Sequence, residues 1–486
     1  MIPKERILCF PAERPLGRLF VRERNDAAPE SWKSVGEARG NVIVPYGCEI
    51  KLCVCDDASR DLSSFTLLNS ADIQVLSLES THVTDEELKK LSRLSGLCSL
   101  SLGDTHITDT GLSHLHVLSR LRNLYLWSTK ITGAGLRLIQ KLPWLQDIDL
   151  RNTRVGDAGL GYLRGLSGIT SLSLGLTDIS DGGLSHLQNL GHLKTLHLNR
   201  TRIGDSGLRF LGRLGALQWL NLKATQVGDG GLASIHELRN LKRLDLGETH
   251  ISDPGLTYVS ALSALESLYL WGTKISGAGL GYLQGLRALK LLDLSRTSIG
   301  DTGLVHLGKL RQLRCLYLGY SAVTDAGLVS LRSLSGLRLL SLGDTGVSDR
   351  GLKHLAELVG LESLVLRGTL VTDSGMEYLQ HVQTLRVLSL GGTSITDSGL
   401  EYLGRMPQLQ ALYLWETNVS DCGLVYLRGL RELRLLDLSR TQVTNDGLSQ
   451  LGEIPSLQKL YLWGTRCTNE GVAELRCALP SCDILR

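Results

Sequence analysis

Four groups of residues carry side chains able to do chemistry. Gly204-Asp205-Ser206-Gly207 could present a hydroxyl nucleophile on a tight turn, and Gly277-Ala-Gly279-Leu-Gly281 could wrap backbone N–H groups around a phosphate. His114-Leu-His116 could offer two imidazoles to a metal. The fourth is a recurring phrase, at Tyr125-Leu-Trp127, Tyr269-Leu-Trp271, Tyr413-Leu-Trp415 and Tyr461-Leu-Trp463, and the first three tyrosines are each followed 24 residues later by an aspartate: Asp149, Asp293 and Asp437. Tyr and Trp offer large, stiff apolar area with a hydrogen-bonding edge, and a carboxylate beside them suits a lysine or arginine of a partner.

What these groups can do depends on the frame that holds them, and the frame is a repeat. Leu or Ile recurs every 24 residues from Ile73 to Leu457 without insertion, giving seventeen units over residues 73–480. Such self-similarity defines a solenoid in which each unit buries its apolar face only by stacking on its neighbours. The unit from Leu265 to Ala288 reads LESLYLWGTKISGAGLGYLQGLRA. With its first leucine as position 1, Leu268 and Leu270 alternate with Ser267, Tyr269 and Trp271, which predicts a short strand with the leucines inward and the other three outward. Position 9 is Thr in sixteen units and Ser321 in the other, a hydroxyl able to bond its own turn and the next in a ladder down the stack. Position 11, Ile or Val except for Cys467, belongs to the core. Thr, Ser or Gly at position 12, Asp at position 13 and then Gly-Leu read as a capped helix start with an acid that complements the helix dipole. Strands pack about 4.8 Å apart and helices about 8–10 Å, so the stack is expected to curve with its strands inside.

Seen in this frame, the first three groups lose their chemistry. The Gly204–Gly207 phrase fills a slot that Thr372-Asp-Ser-Gly375 and Thr396-Asp-Ser-Gly399 also fill, and the glycines of 277–281 hold repeat positions. His114 shares position 18 with His186, His306 and His354 and with Tyr162, Tyr258, Tyr282, Tyr378, Tyr402 and Tyr426, a stripe that reads as lateral helix packing. No catalytic residue is assigned, and neither a cofactor nor a metal is expected. Cys48, Cys53 and Cys55 lack the paired spacing of a zinc site, and Cys467, Cys477 and Cys482 read as free thiols.

The remaining sequence narrows the partners. A net charge of +3 over 486 residues, with no basic block, argues against nucleic acid. The N-terminal MIPKERILCFPAERP is charged where a secretory signal is apolar, and no apolar run is long enough for a bilayer, so a soluble cytoplasmic protein without membrane contact is expected. Residues 1–72 lack the period and show apolar alternation, predicting a small β-rich capping module with a hairpin over Val42–Val54 around Pro45-Tyr46-Gly47. Residues 481–486 read as an abbreviated terminal strand whose open edge invites dimerisation.

The pattern LxxLxLxxT followed by [IV]-[TSG]-D-x-G-L-x-x-L resembles the leucine-rich repeat superfamily, with Thr where that family usually has Asn. Its TDxGL phrase is most similar to ribonuclease-inhibitor-like, F-box-associated and bacterial leucine-rich repeat proteins. The resemblance implies an α/β fold, a right-handed horseshoe solenoid with a parallel sheet on its concave face and short helices on its convex face. It also implies binding of a macromolecule, here a protein, by the concave face. An F-box would be a helical leucine module, whereas residues 1–72 read as β. The expected function is a non-enzymatic protein-binding scaffold anchored by Tyr125, Trp127, Asp149, Tyr269, Trp271, Asp293, Tyr413, Trp415, Asp437, Tyr461 and Trp463. The alternative is an adaptor or effector engaging a second partner through residues 1–72. The first three Tyr-x-Trp phrases are 144 residues apart, which also reads as duplication of a six-unit block, and Arg151, Arg296 and Arg440 could stack internally on the tryptophans.

Overall fold

The computed structural model describes residues 5–24, 26, 28 and 31–486, and the chain forms two compact units, Met1–Leu241 and Lys242–Arg486. Both are built from the same coil. In the coil beginning at Leu265, the side chains of Leu265, Leu268, Leu270, Ile275, Leu280, Leu283 and Leu286 are all fully buried. One side of the coil is a three-residue strand such as Ser267–Tyr269, and the other is a short helical segment such as Gly279–Gly285.

The first unit starts with β1 (Glu5–Cys9), β2 (Gly17–Glu23), β3 (Lys33–Glu37), β4 (Asn41–Pro45) and β5 (Cys48–Val54). The hairpin expected over Val42–Val54 does not form. The chain does turn at Gly47, whose φ is 87°, but β4 pairs antiparallel with β1 while β5 pairs antiparallel with β2, so the two arms enter different sheets. The alternation in each arm was real; its partner was a strand more distant in sequence. β5 then pairs in parallel with β6 (Val75–Ser77), matching Leu52 to Leu76, and thus begins the sheet of the repeats.

From β6 onward the 24-residue period becomes register. Leu76 pairs with Leu100, Leu100 with Leu124, Leu124 with Ile148, and the pairing runs on to Leu220. The second unit repeats this from Leu244 to Leu460, and Ile484 pairs with Leu460 in a last strand, Asp483–Leu485. Each unit is therefore an open parallel sheet backed by short helical segments, the leucine-rich repeat solenoid architecture. Among the described residues no helix is long and apolar enough to cross a membrane.

Two devices hold successive coils together. The first is a turn: position 8 has φ between 53° and 68° in every coil, including non-glycines such as Leu176 and Tyr320. An L-residue there costs about 1–2 kcal/mol. It is held because its N–H bonds the next coil, as Tyr320 N–H does to the Gly343 carbonyl at 2.9 Å. The position 9 hydroxyl stays within its own turn, Thr273 Oγ1 donating to the Leu270 carbonyl at 2.5 Å, so the ladder expected there is not found.

The ladder is instead made by the position 13 aspartate. Asp373 accepts from both the backbone N–H (2.8 Å) and the hydroxyl (2.6 Å) of Thr396 in the next coil, and Asp397 does the same with Ser420 (2.8 and 2.5 Å). The same Thr396 hydroxyl accepts from the N–H of Ser398, capping its own helix. The glycine at position 15 makes room: a Cβ on Gly399 would lie 2.5 Å from Asp373 Oδ1.

Candidate functional site

The groups set aside on sequence grounds are occupied structurally. Ser206 donates to Asp181 and Asp205 accepts from Gly228 N–H, both part of the aspartate ladder. Gly277 lies against the backbone of Gly303. His116 Nδ1 contacts the Ser113 carbonyl, while His306 Nδ1 contacts Gln284 of the preceding coil, as lateral packing requires. Among the described residues no cluster of His, Cys, Asp and Glu could hold a metal, and all ten cysteines are free.

The Tyr-x-Trp phrases lie on the sheet face, since position 4 and position 6 leucines on either side are buried. The tryptophans of the first three are half-buried, and the reason lies in the coil before each. Trp127 covers Gly103, Trp271 covers Gly247 and Trp415 covers Gly391, with the five-membered edge of the indole in the space a side chain would take. Each glycine is the position 7 residue of its coil, and the three are themselves 144 residues apart. Trp463 differs: its neighbour in the preceding coil is Ser439, and it is 54% exposed.

This seating turns the indoles toward the preceding coil, away from the aspartates of the following one. The neighbours of those aspartates are tyrosines. In the second unit Tyr269, Asp293 and Tyr317 are paired across three adjacent strands, and Tyr413, Asp437 and Tyr461 repeat the arrangement. In the first unit the column reads Tyr125, Asp149, Ser173. Tyr317 escaped the sequence reading because it lacks the following tryptophan. Its separation of 144 residues from Tyr461 was the available signal.

The aspartates differ in their partners. Asp149 is buried, and Arg151 clasps it with Nε 2.9 Å from both carboxylate oxygens and Nη2 2.6 Å from Oδ2. Asp293 and Asp437 accept from the backbone N–H of Ser295 (3.0 Å) and Ser439 (2.9 Å), and among the described residues no Lys or Arg comes within ion-pairing distance of either. Burial pushes the carboxyl of Asp293 above its ordinary pKa, and burial likewise raises Tyr269 and Tyr317. Of the arginines expected to stack on tryptophan, Arg151 is engaged with Asp149, Arg296 lies over the ring of Tyr320 at 5.0 Å, and Arg440 pairs with Glu416.

The first unit holds a second feature that sequence reading missed, a depression of about 690 Å³ on the sheet face between Trp127 and Trp219, floored by His197 and lined by Asn199 and Asn221. The His197 and Trp219 rings meet edge to face at 4.4 Å. Trp219 stands at position 3, a column in which no other tryptophan occurs.

Coil, register and sheet face together define the class, and residues 171–426 and 286–479 match a family model described as a leucine-rich repeat region. The chain belongs to the leucine-rich repeat family. Among solved structures it is similar to a leucine-rich repeat protein from Leptospira interrogans, at 21% identity over 86% of this chain and 96% of that one, with a TM-score of 0.55. It is also similar to an internalin from Listeria monocytogenes, at 24% identity over 66% of this chain and 82% of that one, with a TM-score of 0.47. A third is the Arabidopsis receptor kinase HAESA ectodomain in complex with a peptide hormone, at 16% identity over 85% and 78% of the two chains and a TM-score of 0.48. No curated protein matches the chain.

Proposed function

We propose that this protein is a non-enzymatic scaffold that recognises a protein partner with the sheet face of its repeats. The leucine-rich repeat fold is commonly a protein-binding scaffold, which supplies the class. The observation that carries the reading for this chain is the seating of Trp127, Trp271 and Trp415 on glycines. A half-buried indole laid over a bare backbone is pre-ordered, so a partner that covers it loses little side-chain freedom. Replacing all three by Ala, with folding checked by circular dichroism, is expected to abolish capture of a partner from the native extract. Undiminished capture by the folded variant would refute the reading.

A second reading, an adaptor that engages another partner through residues 1–72, draws on Ile7 and Ile43. They face one another across β1 and β4 and are 61% and 58% exposed. Ile7→Ser with Ile43→Ser would release that second partner while sparing capture on the sheet face. Retention of every captured protein would exclude the adaptor reading.

A further inference from the structure

We infer that the two Tyr-Asp-Tyr columns of the second unit are paired receptors for guanidinium groups, and that the partner is an extended segment carrying two arginines about nine residues apart. The inference rests on the scaffold reading and names the chemistry of what it binds.

The first unit shows such a site filled from within. Arg151 stands two residues after Asp149 and closes on its carboxylate from position 7 of the same coil. At the equivalent positions of the second unit, 144 and 288 residues on, stand Ser295 and Ser439. Serine keeps the backbone N–H bond to the aspartate, and at Ser295 turns its hydroxyl to the carboxylate, but it brings no cation. In the coil after each, the neighbour on the far side, Ser173 in the first unit, becomes Tyr317 and Tyr461. The arginine clasp on the carboxylate is withdrawn and a second aromatic wall is added.

The geometry suits a planar cation. The two tyrosines of each column are two strand spacings apart, about 10 Å, so a cation above the aspartate lies about 5 Å from each, inside the roughly 6 Å reach of a cation–π contact. Both oxygens of a carboxylate suit the fork of a guanidinium better than the point charge of an ammonium. The sites differ on both flanks: Lys459 lies 5.4 Å over the ring of Tyr461 where Cys315 stands beside Tyr317, and Arg243 and Asp245 occupy the strand before Tyr269 where Val387 and Ser389 stand before Tyr413. Six strand spacings separate the two aspartates, about 29 Å, which an extended chain covers in about nine residues. A segment reaching both gains from the second contact as an intramolecular event.

Intact protein is titrated by calorimetry with Gly/Ser peptides carrying one arginine, two arginines nine residues apart, two lysines at that spacing, or two norleucines. The two-arginine peptide is expected to bind at least tenfold more tightly than the one-arginine peptide, the lysine peptide more weakly, and the norleucine peptide undetectably. Asp293→Asn with Asp437→Asn should lower affinity for the two-arginine peptide at least tenfold. Ser295→Arg with Ser439→Arg, which rebuilds the internal clasp of the first unit, should abolish binding with thermal unfolding unchanged. Equal binding of arginine and norleucine peptides, or full binding by the Asn variant, would overturn the inference. If the Asn variant also captures the native partner at full strength while the triple tryptophan variant does not, the guanidinium sites fall and the scaffold reading stands.

Discussion

The tryptophans and the aspartates share a repeat phrase but do separate work. An indole needs a place to lie, and Gly103, Gly247 and Gly391 supply it by having no side chain. Gly391→Ala tests this directly. The added methyl would fall inside the Trp415 ring, so the indole must lift from the backbone into water. A shift of Trp fluorescence toward the red and weaker capture of the partner are the expected results, with the fold retained because Gly391 has ordinary helical-sign or extended φ and no strain of its own. The tryptophans were visible in the sequence because they repeat. Their glycine seats were not, because in a chain with 54 glycines nothing local marks these three. The partners of the aspartates were hidden for another reason: whether a carboxylate is clasped depends on the residue two places on, arginine in one unit and serine in the other.

At the level of the coil, the sequence displayed its strand, its core positions and its helix start through spacing alone. It did not display the left-handed residue at position 8, since only four of the seventeen are glycine and inter-strand bonding, not residue type, enforces the conformation. Nor did it reveal that the acid in the first helical turn reaches forward to the next coil. That reach has a measurable consequence. Asp397→Ala leaves the N–H and hydroxyl of Ser420 without their charged acceptor, and bonds to charged groups contribute about 1.5–3 kcal/mol each. Because this rung is only half-buried and water can take over part of the bonding, a net loss of about 2 kcal/mol is expected in denaturant unfolding, with faster amide exchange at Ser420. Gly399→Ala should also destabilise. The helix propensity gained is about 1 kcal/mol, but the new methyl would meet Asp373 Oδ1 at 2.5 Å and break the bridge to Thr396. A stabilised Gly399→Ala variant would show that the bridge contributes little.

Across the molecule, an uninterrupted 24-residue period means that whole coils are interchangeable parts. Deleting residues 337–360 removes one coil between the two Tyr-Asp-Tyr columns and leaves each remaining strand a leucine-to-leucine register, Leu316 then meeting Leu364. The variant is expected to keep its circular dichroism spectrum. The best arginine spacing in the peptide titration should shorten by one or two residues, since one strand step is about 4.8 Å and an extended residue about 3.3 Å. An unchanged optimum would show that the columns do not act as a pair. The period and the family were legible from the residues alone. The fold of residues 1–72 was legible only as alternation, because its pairing joins strands such as β1 and β4 that lie more than thirty residues apart. The ladder also has two missing rungs. Position 13 is glycine at Gly133 and Gly277, which meet the following coil through bare backbone at Gly159 and Gly303 instead of through a carboxylate. Under a pulling force applied along either unit, those two joints are where the stack should come apart first, so each unit carries its own built-in tear line.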